Sequence, residues 1–217
     1  MIDLHTHSLF SDGELVPSEL VQRAIIKGYK AIAITDHVDS SNIDFVVPRI
    51  VDFAYSIKDM FRIDVIAGAE ITHAPPLMIP SLAKRARQLG AMIVIVHGET
   101  LVEPVFEGTN RIALESPIDI LAHPGLISGE EIELAKKNNI ALEITARKGH
   151  SLSNGHVAKL ALDMGADLVI NSDSHSPSDL ITQDFAMKVL LGAGIPRIKI
   201  DRVFDKSFEI VKKVMGG

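Results

Sequence analysis

Seven short apolar runs recur along the chain, and each delivers an acid or a histidine at or near its C-terminal end. They cover residues 2–5, 31–36, 64–70, 92–97, 118–123, 141–145 and 167–173. None alternates strictly between polar and apolar residues. Parallel strands read this way when both of their faces are covered. Stretches of helical period separate the runs. Residues 17–27 place Leu20, Val21, Ala24 and Ile25 on one side, and 80–89 and 154–164 repeat that arrangement. In 128–138, Ser128 and Glu131 have the spacing of a capping box. Gly28, Gly90 and Gly165 suit left-handed helix ends, as does the Asn138-Asn139 pair, and Pro17, Pro80 and Pro177 suit first helical turns. The tail predicts a short strand from Ile198 and a last helix over 206–215.

Repeated strand–helix units allow an open doubly wound sheet or a closed barrel. The glycine-rich phosphate loops that accompany open sheets are missing: no G-x-G-x-x-G opens a helix, and there is no G-x-x-x-x-G-K-[ST]. The strand ends favour the barrel. They read His5-Thr6-His7, Thr35-Asp36-His37, Glu70, His97, His123, Glu143 and Asp173-Ser174-His175, so six of the nine histidines fall there. Any one of them, alone, reads equally well as a hydrogen-bonded core residue. All seven runs ending in this way point to one site at the C-terminal ends of the strands. Residues i and i+2 share a face of a strand. His5 with His7, and Asp173 with His175, therefore form two pairs on the first and last runs. They converge only if the sheet closes. The expected fold is an α/β, distorted (β/α)7 barrel, similar to a TIM barrel, as a single domain over 1–217.

Composition narrows the chemistry. With 217 residues, 47% of them hydrophobic, the chain can bury a large core. Cysteine is absent, which excludes disulfides, thiolate nucleophiles, iron–sulfur clusters and cysteine zinc sites. The net charge of −6 disfavours binding to duplex nucleic acid or an anionic membrane. The N-terminus lacks the pattern of a signal peptide, and the most apolar run, 89–96, is too short to span a bilayer. A soluble, cytoplasmic protein is expected. Imidazole with carboxylate suits zinc, manganese or iron(II) rather than calcium or magnesium. One tetrahedral ion uses four ligands, and at least eight candidates are present, so two or three divalent transition metal ions are expected. Such centres cleave phosphate esters by clamping phosphoryl oxygens and generating hydroxide near neutral pH.

His5-Thr6-His7, Ser11-Asp12-Gly13, Thr35-Asp36-His37, Glu70, His97, His123-Pro124 and Ser172-Asp173-Ser174-His175 resemble, in order, the motifs of the polymerase and histidinol phosphatase (PHP) superfamily. The resemblance implies a trinuclear site. His5, His7, Glu70 and Asp173 would hold the first ion. Glu70 would bridge to a second, shared with His97 and His123. Asp12, His37 and His175 would hold the third, Asp12 standing where some members have histidine. Glu70, Asp173 and His175 are also the candidate catalytic residues.

Other polar residues divide between structural and functional readings. Glu143 is a rim acid or an acceptor behind the ligands, Asp36 is expected to orient a neighbour, and Asp3 either supports a ligand or is simply solvated at the strand start. Arg147, Lys148 and, at lower weight, Arg111 are candidates for holding a substrate phosphate, against the alternative of solvated surface charges. His73 and His156 read as ordinary polar residues, His73 near the rim; Glu99 and Glu103, just after His97, are expected to shape the pocket; His150 receives no assigned role. The leading expectation is a metal-dependent phosphatase or phosphoesterase that hydrolyses a small-molecule phosphate ester and is histidinol phosphatase-like. Amidohydrolase-type C–N hydrolysis also uses H-x-H on a first barrel strand, but no lysine lies at a middle strand end to serve as a carbamylated bridge. A metal-bound regulatory module without catalysis predicts missing ligands, and none is missing.

Overall fold

The computed structural model describes residues 1–216. Eight strands form: β1 (Ile2–Thr6), β2 (Ala31–Ile34), β3 (His37–Val38), β4 (Asp64–Ile71), β5 (Ile93–His97), β6 (Ile120–Ala122), β7 (Ala141–Thr145) and β8 (Leu168–Asn171). All pair in parallel in the order β1-β2-β4-β5-β6-β7-β8. The short β3 pairs with β4 just beyond β2, with His37 opposite Glu70. It continues β2 after an interruption at Thr35-Asp36, so seven strand positions make a nearly closed barrel. The helices α1 (Pro17–Ile26), α2 (Ile43–Ser56), α3 (Ile79–Gln88), α4 (Thr109–Leu114), α5 (Gly129–Asn138), α6 (Asn154–Met164), α7 (Gln183–Gly192) and α8 (Arg197–Met215) alternate with the strands or follow them.

Alternate residues on each strand explain how the core divides. Ile32, Ile34, Val94, Val96, Leu121, Leu142 and Ile144 face outward into one large cluster with the helices. Ala31, Ala33, Ile66, Ile93, Ile95, Ile120, Ala141 and Val169 face inward and fill the lower barrel, floored by Ile210 and Val211 of α8. The same inward parity, carried two or four residues further, reaches His37, Glu70, His97, Glu143, Asn171 and Asp173. The interior thus changes from hydrocarbon to ligand-type side chains within one or two layers. On β1, Asp3 and Thr6 pair with Ile32 and Ile34, so the strand carries one extra residue. This bulge turns both Leu4 and His5 inward.

Closure between β1 and β8 relies on little ladder pairing. One parallel bridge joins Thr6 to Ser174, with the His7 N–H donating to the Ser174 carbonyl at 2.8 Å. Side chains supply the remaining contacts. Asn171 Oδ1 accepts from the Leu4 N–H at 2.9 Å, and its amide donates to Glu143 at 2.9 Å. Asp3 accepts from the N–H groups of Ser172 at 3.2 Å and His5 at 3.3 Å. Burial pushes the Asp3 carboxyl up to about 6.

Several local expectations hold. The Ser128–Glu131 capping box is complete, and Gly28, Gly90, Asn139 and Gly165 all adopt positive φ. Two differ. The strand expected from Ile198 is absent, because α8 begins at Arg197 and buries Ile200, Val203, Ser207, Ile210 and Val211 at helical spacing. Pro177 lies in a turn, not a helix, because Asp179 draws in the N–H groups of His175 and Ser176 at 3.0 and 2.8 Å. Helix α2 falls between the second and third runs, where the sequence reading implies a helix but gives no bounds, and it forms despite Pro48 in its interior because Ile43, Val46, Val47 and Ile50 bury a strong apolar face. No helix among the described residues is long and apolar enough to cross a membrane.

Asn171→Leu strands the Leu4 N–H in the interior and removes one of the two donors to Glu143 Oε1, which keeps His5 Nδ1. An unpaired buried group costs about 1–3 kcal/mol and a lost hydrogen bond about 0.5–1.5 kcal/mol, so the variant should lose about 2–4 kcal/mol of stability in urea unfolding. Lys159→Ala, which removes only an exposed ion pair with Asp163, should stay within about 0.5 kcal/mol of wild type. Equal effects of the two substitutions would refute the side-chain closure of the barrel.

Candidate metal centre

A cleft of about 460 Å³ opens over the C-terminal ends of the strands, lined by Asp12, His37, His73, His97, Glu103, Arg147, His150, Asp173 and His175 among others. His5, His7, Glu70 and Glu143 form its buried base. Positive φ at His73, His123 and Asp173 turns these residues out of extended geometry. Asp and His tolerate that region better than most residues, and strain of this kind concentrates at functional sites. Gly98 has a packing reason: a Cβ there would sit 2.4 Å from the Ala122 carbonyl oxygen, so only glycine lets the loop after His97 pass that close.

The imidazoles share one arrangement. Nδ1 of His5 donates to Glu143 Oε1 at 2.8 Å and Nδ1 of His123 to Glu143 Oε2 at 3.1 Å. Nδ1 of His97 meets the Gly98 carbonyl at 3.1 Å, and Nδ1 of His175 meets the Asp173 carbonyl at 3.0 Å. Threonine hydroxyls hold two more: Thr72 on His37 at 2.6 Å and Thr100 on His150 at 2.7 Å. Six rings are thereby held at Nδ1, and Nε2 of His5 and His123 has no hydrogen-bond partner among the described residues. Metal-binding histidines are oriented by outer partners in this way.

Three groupings emerge from the residues the sequence singles out. Ring nitrogens of His5 and His7 and an oxygen of Asp173 lie within 4.8 Å of one another. Glu70 Oε2 is 3.3 Å from His5 Nε2 and 3.6 Å from His7 Nε2. His37, His175 and Asp12 form a second group with His7, Asp12 Oδ1 lying 3.4 and 3.2 Å from the Nε2 atoms of His37 and His175. His97 and His123 form the third with His150, and Glu70 Oε1 reaches His123 Nε2 at 4.0 Å. The two Glu70 oxygens thus face different groups of histidines.

Hydrogen bonding does not satisfy this cluster. Of eleven buried polar side-chain atoms without a partner among the described residues, seven belong to it: His5 Nε2, both nitrogens of His7, both oxygens of Glu70, His123 Nε2 and Asp173 Oδ1. They approach one another without the alignment that a hydrogen bond needs. Buried polar groups are rarely left so. Nitrogen and carboxylate donors, turned toward common points and otherwise unpartnered, fit divalent transition metal ions.

The electrostatics agree. Burial alone would lower the His5 imidazole, but Glu70, Glu143 and Asp173 hold it well above its usual value. Burial opposes ionisation of Glu143, yet His5 and His123 keep its carboxyl low. Burial pushes His123 down to about 3 and, with help from the neighbouring His37, holds His7 well below its usual value. His37, half-buried, is carried up to about 9 by Glu70 and Asp12 against the cost of its burial. The carboxylates demand positive charge, and adjacent imidazoles cannot all supply it as protons.

The remaining residues fall as follows. Glu143 is buried, with its oxygens on His5 and His123, rather than on the rim. Asp36 accepts from the Ser8 N–H at 2.8 Å and from the Ser8 and Ser11 hydroxyls at 2.7 and 2.6 Å, fixing the loop that carries Asp12. Arg147 lines the cleft and donates to Asp179 at 3.1 Å. Lys148 is exposed and outside the cleft lining, and Arg111 pairs with Glu115 and Glu130 away from it. Sequence reading assigns no role to Thr72, Thr100, Asn171 or Asp179, because a hydroxyl, amide or loop acid behind a ligand has no fixed spacing from it. Glu103, in the loop after β5, spans His97 and His150 at 3.2 and 3.3 Å.

The model of the PHP domain family matches residues 3–123. An uncharacterized protein of Methanocaldococcus jannaschii is 50% identical over 201 residues, covering 92% of each chain. A probable phosphatase of Proteus mirabilis is 26% identical over 225 residues, covering 92% of this chain and 88% of its own. Among solved structures, a chain of an archaeal ribonuclease P with mature tRNA matches with a TM-score of 0.73 and 17% identity, over 99% of this chain and 91% of that one. Histidinol phosphate phosphatase from Lactococcus lactis, complexed with zinc, L-histidinol and phosphate, matches with a TM-score of 0.60 and 18% identity, over 90% and 94%. At these identities the two structures are likenesses of fold.

Glu143→Gln keeps the shape but replaces one acceptor oxygen by an amide that donates. One of the His5 and His123 Nδ1–H groups then loses its acceptor, and that ring is free to turn or change tautomer. Metal affinity, measured by chelator competition, should fall about 10- to 100-fold with the fold retained by circular dichroism. Unchanged affinity would show that Glu143 does not orient these rings.

Proposed function

The chain belongs to the PHP domain family, and on that premise we propose that it is a metal-dependent phosphatase hydrolysing a small phosphate monoester at a trinuclear site. One observation carries the reading: a buried set of unpartnered nitrogen and carboxylate donors at the base of an open cleft. Relatives named as probable phosphatases support the reaction class. His5, His7, Glu70 and Asp173 would hold one ion, His97, His123 and the second Glu70 oxygen another, and Asp12, His37 and His175 the third. Bound ions of this kind supply Lewis acidity toward phosphoryl oxygens and lower the pKa of water to near neutrality. Residues 1–217 are read as one PHP domain.

The chain's own residues then have separable tasks. Glu70, with an oxygen toward each side, sets the spacing of the groups it joins. Asp12 and His175 border the mouth, where substrate enters. Arg147 is the one lysine or arginine lining the cleft among the described residues. Its side chain is tied to Asp179, which also holds the backbone of His175. A guanidinium fixed on one side can present its remaining N–H donors to a phosphate dianion. Arg111 and Lys148, both outside the cleft lining, are left as weaker candidates for this contact. The net charge of −6 weighs against a polyanionic polymer and for a small ester.

The test is a screen of metal-loaded protein against phosphate monoesters, diesters and oligonucleotides. Monoester cleavage alone is expected, and cleavage confined to oligonucleotides would overturn the substrate class. Elemental analysis of protein from metal-replete medium should approach three ions per chain. A ratio that never exceeds one would refute the trinuclear assignment.

Arg147→Ala should raise KM and spare kcat if its contact is equal in the ground and transition states. A charge-assisted contact contributes about 1.5–3 kcal/mol, or roughly 10- to 150-fold in kcat/KM. Lys148→Ala should change kcat/KM by less than about 3-fold, as expected of an exposed side chain. Wild-type kinetics in Arg147→Ala would leave phosphate recognition to the ions alone.

A further inference from the structure

His150 lies in the third grouping described above but in none of the three ligand sets proposed for the ions. It opens the 3-10 turn His150–Ser153 after β7 and is buried. Its ring stacks on that of His123, with centroids 4.2 Å apart and planes 22° from parallel. It meets the His97 ring edge-on at 5.6 Å. Potential ligand atoms of His97, His123 and His150 all lie within 4.8 Å of one another.

We infer that His150 is a fourth ligand of the ion assigned to His97, His123 and Glu70, an inference that rests on the metal-centre reading above. Three features of the structure lead to it. First, each of the three rings has its Nδ1 engaged behind it: His97 by the Gly98 carbonyl, His123 by Glu143 and His150 by Thr100. Nε2 is then the nitrogen each ring has left for an ion, with Glu103 facing that of His97 and His150. A histidine serving only as a hydrogen-bonded core residue has no need to share that arrangement with two candidate ligands. Second, the near-parallel stacking of His123 and His150 places their rings side by side, and His123 Nε2 is buried without a partner. Third, the segment after His97 holds His150 from two sides. Thr100 takes its Nδ1, and Glu103 spans His97 Nε2 and His150 Nε2 at 3.2 and 3.3 Å. Both supports of His150 therefore come from one short stretch of chain, the segment that follows His97.

This assignment distinguishes the three positions chemically. The His5–His7 position has two imidazoles and two carboxylates, and the His37–His175 position has two imidazoles and Asp12. With His150, the remaining position has three imidazoles and one Glu70 oxygen, a four-donor set richer in nitrogen. Such a set favours zinc or iron(II) over manganese relative to its neighbours. The chain is then expected to hold its most tightly bound ion at this position.

The experiment compares wild type, His150→Ala, His150→Gln and Thr100→Val after loading with zinc or cobalt(II). It reads ions per chain, the rate of extraction by a chelator and the visible absorption of the cobalt(II) protein. Both His150 variants should lose close to one ion per chain and the cobalt absorption of a four-coordinate, nitrogen-rich site. Thr100→Val keeps the ligand but frees the ring, and should weaken retention about 10- to 100-fold. Should the His150 variants fail to fold, Thr100→Val carries the test. Full wild-type loading, with unchanged stoichiometry, extraction rate and spectrum in the variants, overturns the assignment of His150 alone. Lower activity in His150→Gln with all ions retained also overturns it and makes His150 a substrate contact. A wild-type chain that binds no ion overturns this inference and the metal-centre reading together.

Discussion

A buried imidazole offers a lone pair in a set direction only when its other nitrogen is held. Much of this molecule serves that requirement. Six rings around the cleft have Nδ1 engaged by a carboxylate, a carbonyl or a threonine hydroxyl, which leaves Nε2 for the interior. Glu143 does this for two rings at once, and Asn171 in turn holds Glu143. Because Asn171 also accepts the Leu4 N–H, the chain of support runs from the ligands to the closure of the barrel. Pre-organisation of the His5 and His123 rings and closure of the barrel therefore share one chain of buried hydrogen bonds.

The barrel makes the arrangement possible through parity. Inward positions on β4 read Ile66, Gly68, Glu70, and those on β5 read Ile93, Ile95, His97. Apolar side chains occupy the lower layers, and the ligand-type residue comes at the top of the same column. The hydrocarbon beneath excludes water from the base of the cleft and lowers the local dielectric, which strengthens every charge interaction above it. β1 needs its bulge because Leu4 must fill the lower layer while His5 reaches the upper one.

Much of this was legible in the sequence, for identifiable reasons. Strands buried on both faces leave unbroken apolar runs, and ligands at their C-terminal ends leave a histidine or acid at each terminus. The capping box at Ser128 and the positive-φ ends at Gly28, Gly90 and Gly165 are written in local residue chemistry. What did not show were contacts without a spacing rule. Thr100 lies 50 residues from His150, and Asn171 lies 28 from Glu143. The bounds of helix α2 were hidden by Pro48, whose local penalty is outweighed by the buried face of Ile43, Val46, Val47 and Ile50. The extra strand at Ile198 was a misreading of period, since Ile200 and Val203 begin the helical pattern that continues to Val211.

The least paired part of the barrel lies directly beneath its most charged part. His5 and His7 end β1, and Asp173 and His175 follow β8, yet the strands themselves share only the bridge at Thr6 and Ser174. His7 Nε2 and Asp173 Oδ1 face each other at 3.1 Å across that seam, both without a hydrogen-bond partner. Without a cation between them, the carboxylates Glu70, Glu143 and Asp173 are balanced only by protons on crowded imidazoles. Burial and mutual repulsion keep His7 from joining in. A divalent ion concentrates more charge at one point than a proton on a ring, and its ligands on either side of the seam would join the first strand to the last. Ion binding and barrel closure are then linked: whatever stabilises the occupied site stabilises the closed barrel by the same free energy. The seam carries a single backbone bridge, where the other neighbouring strands pair through ladders of two or more registered residues.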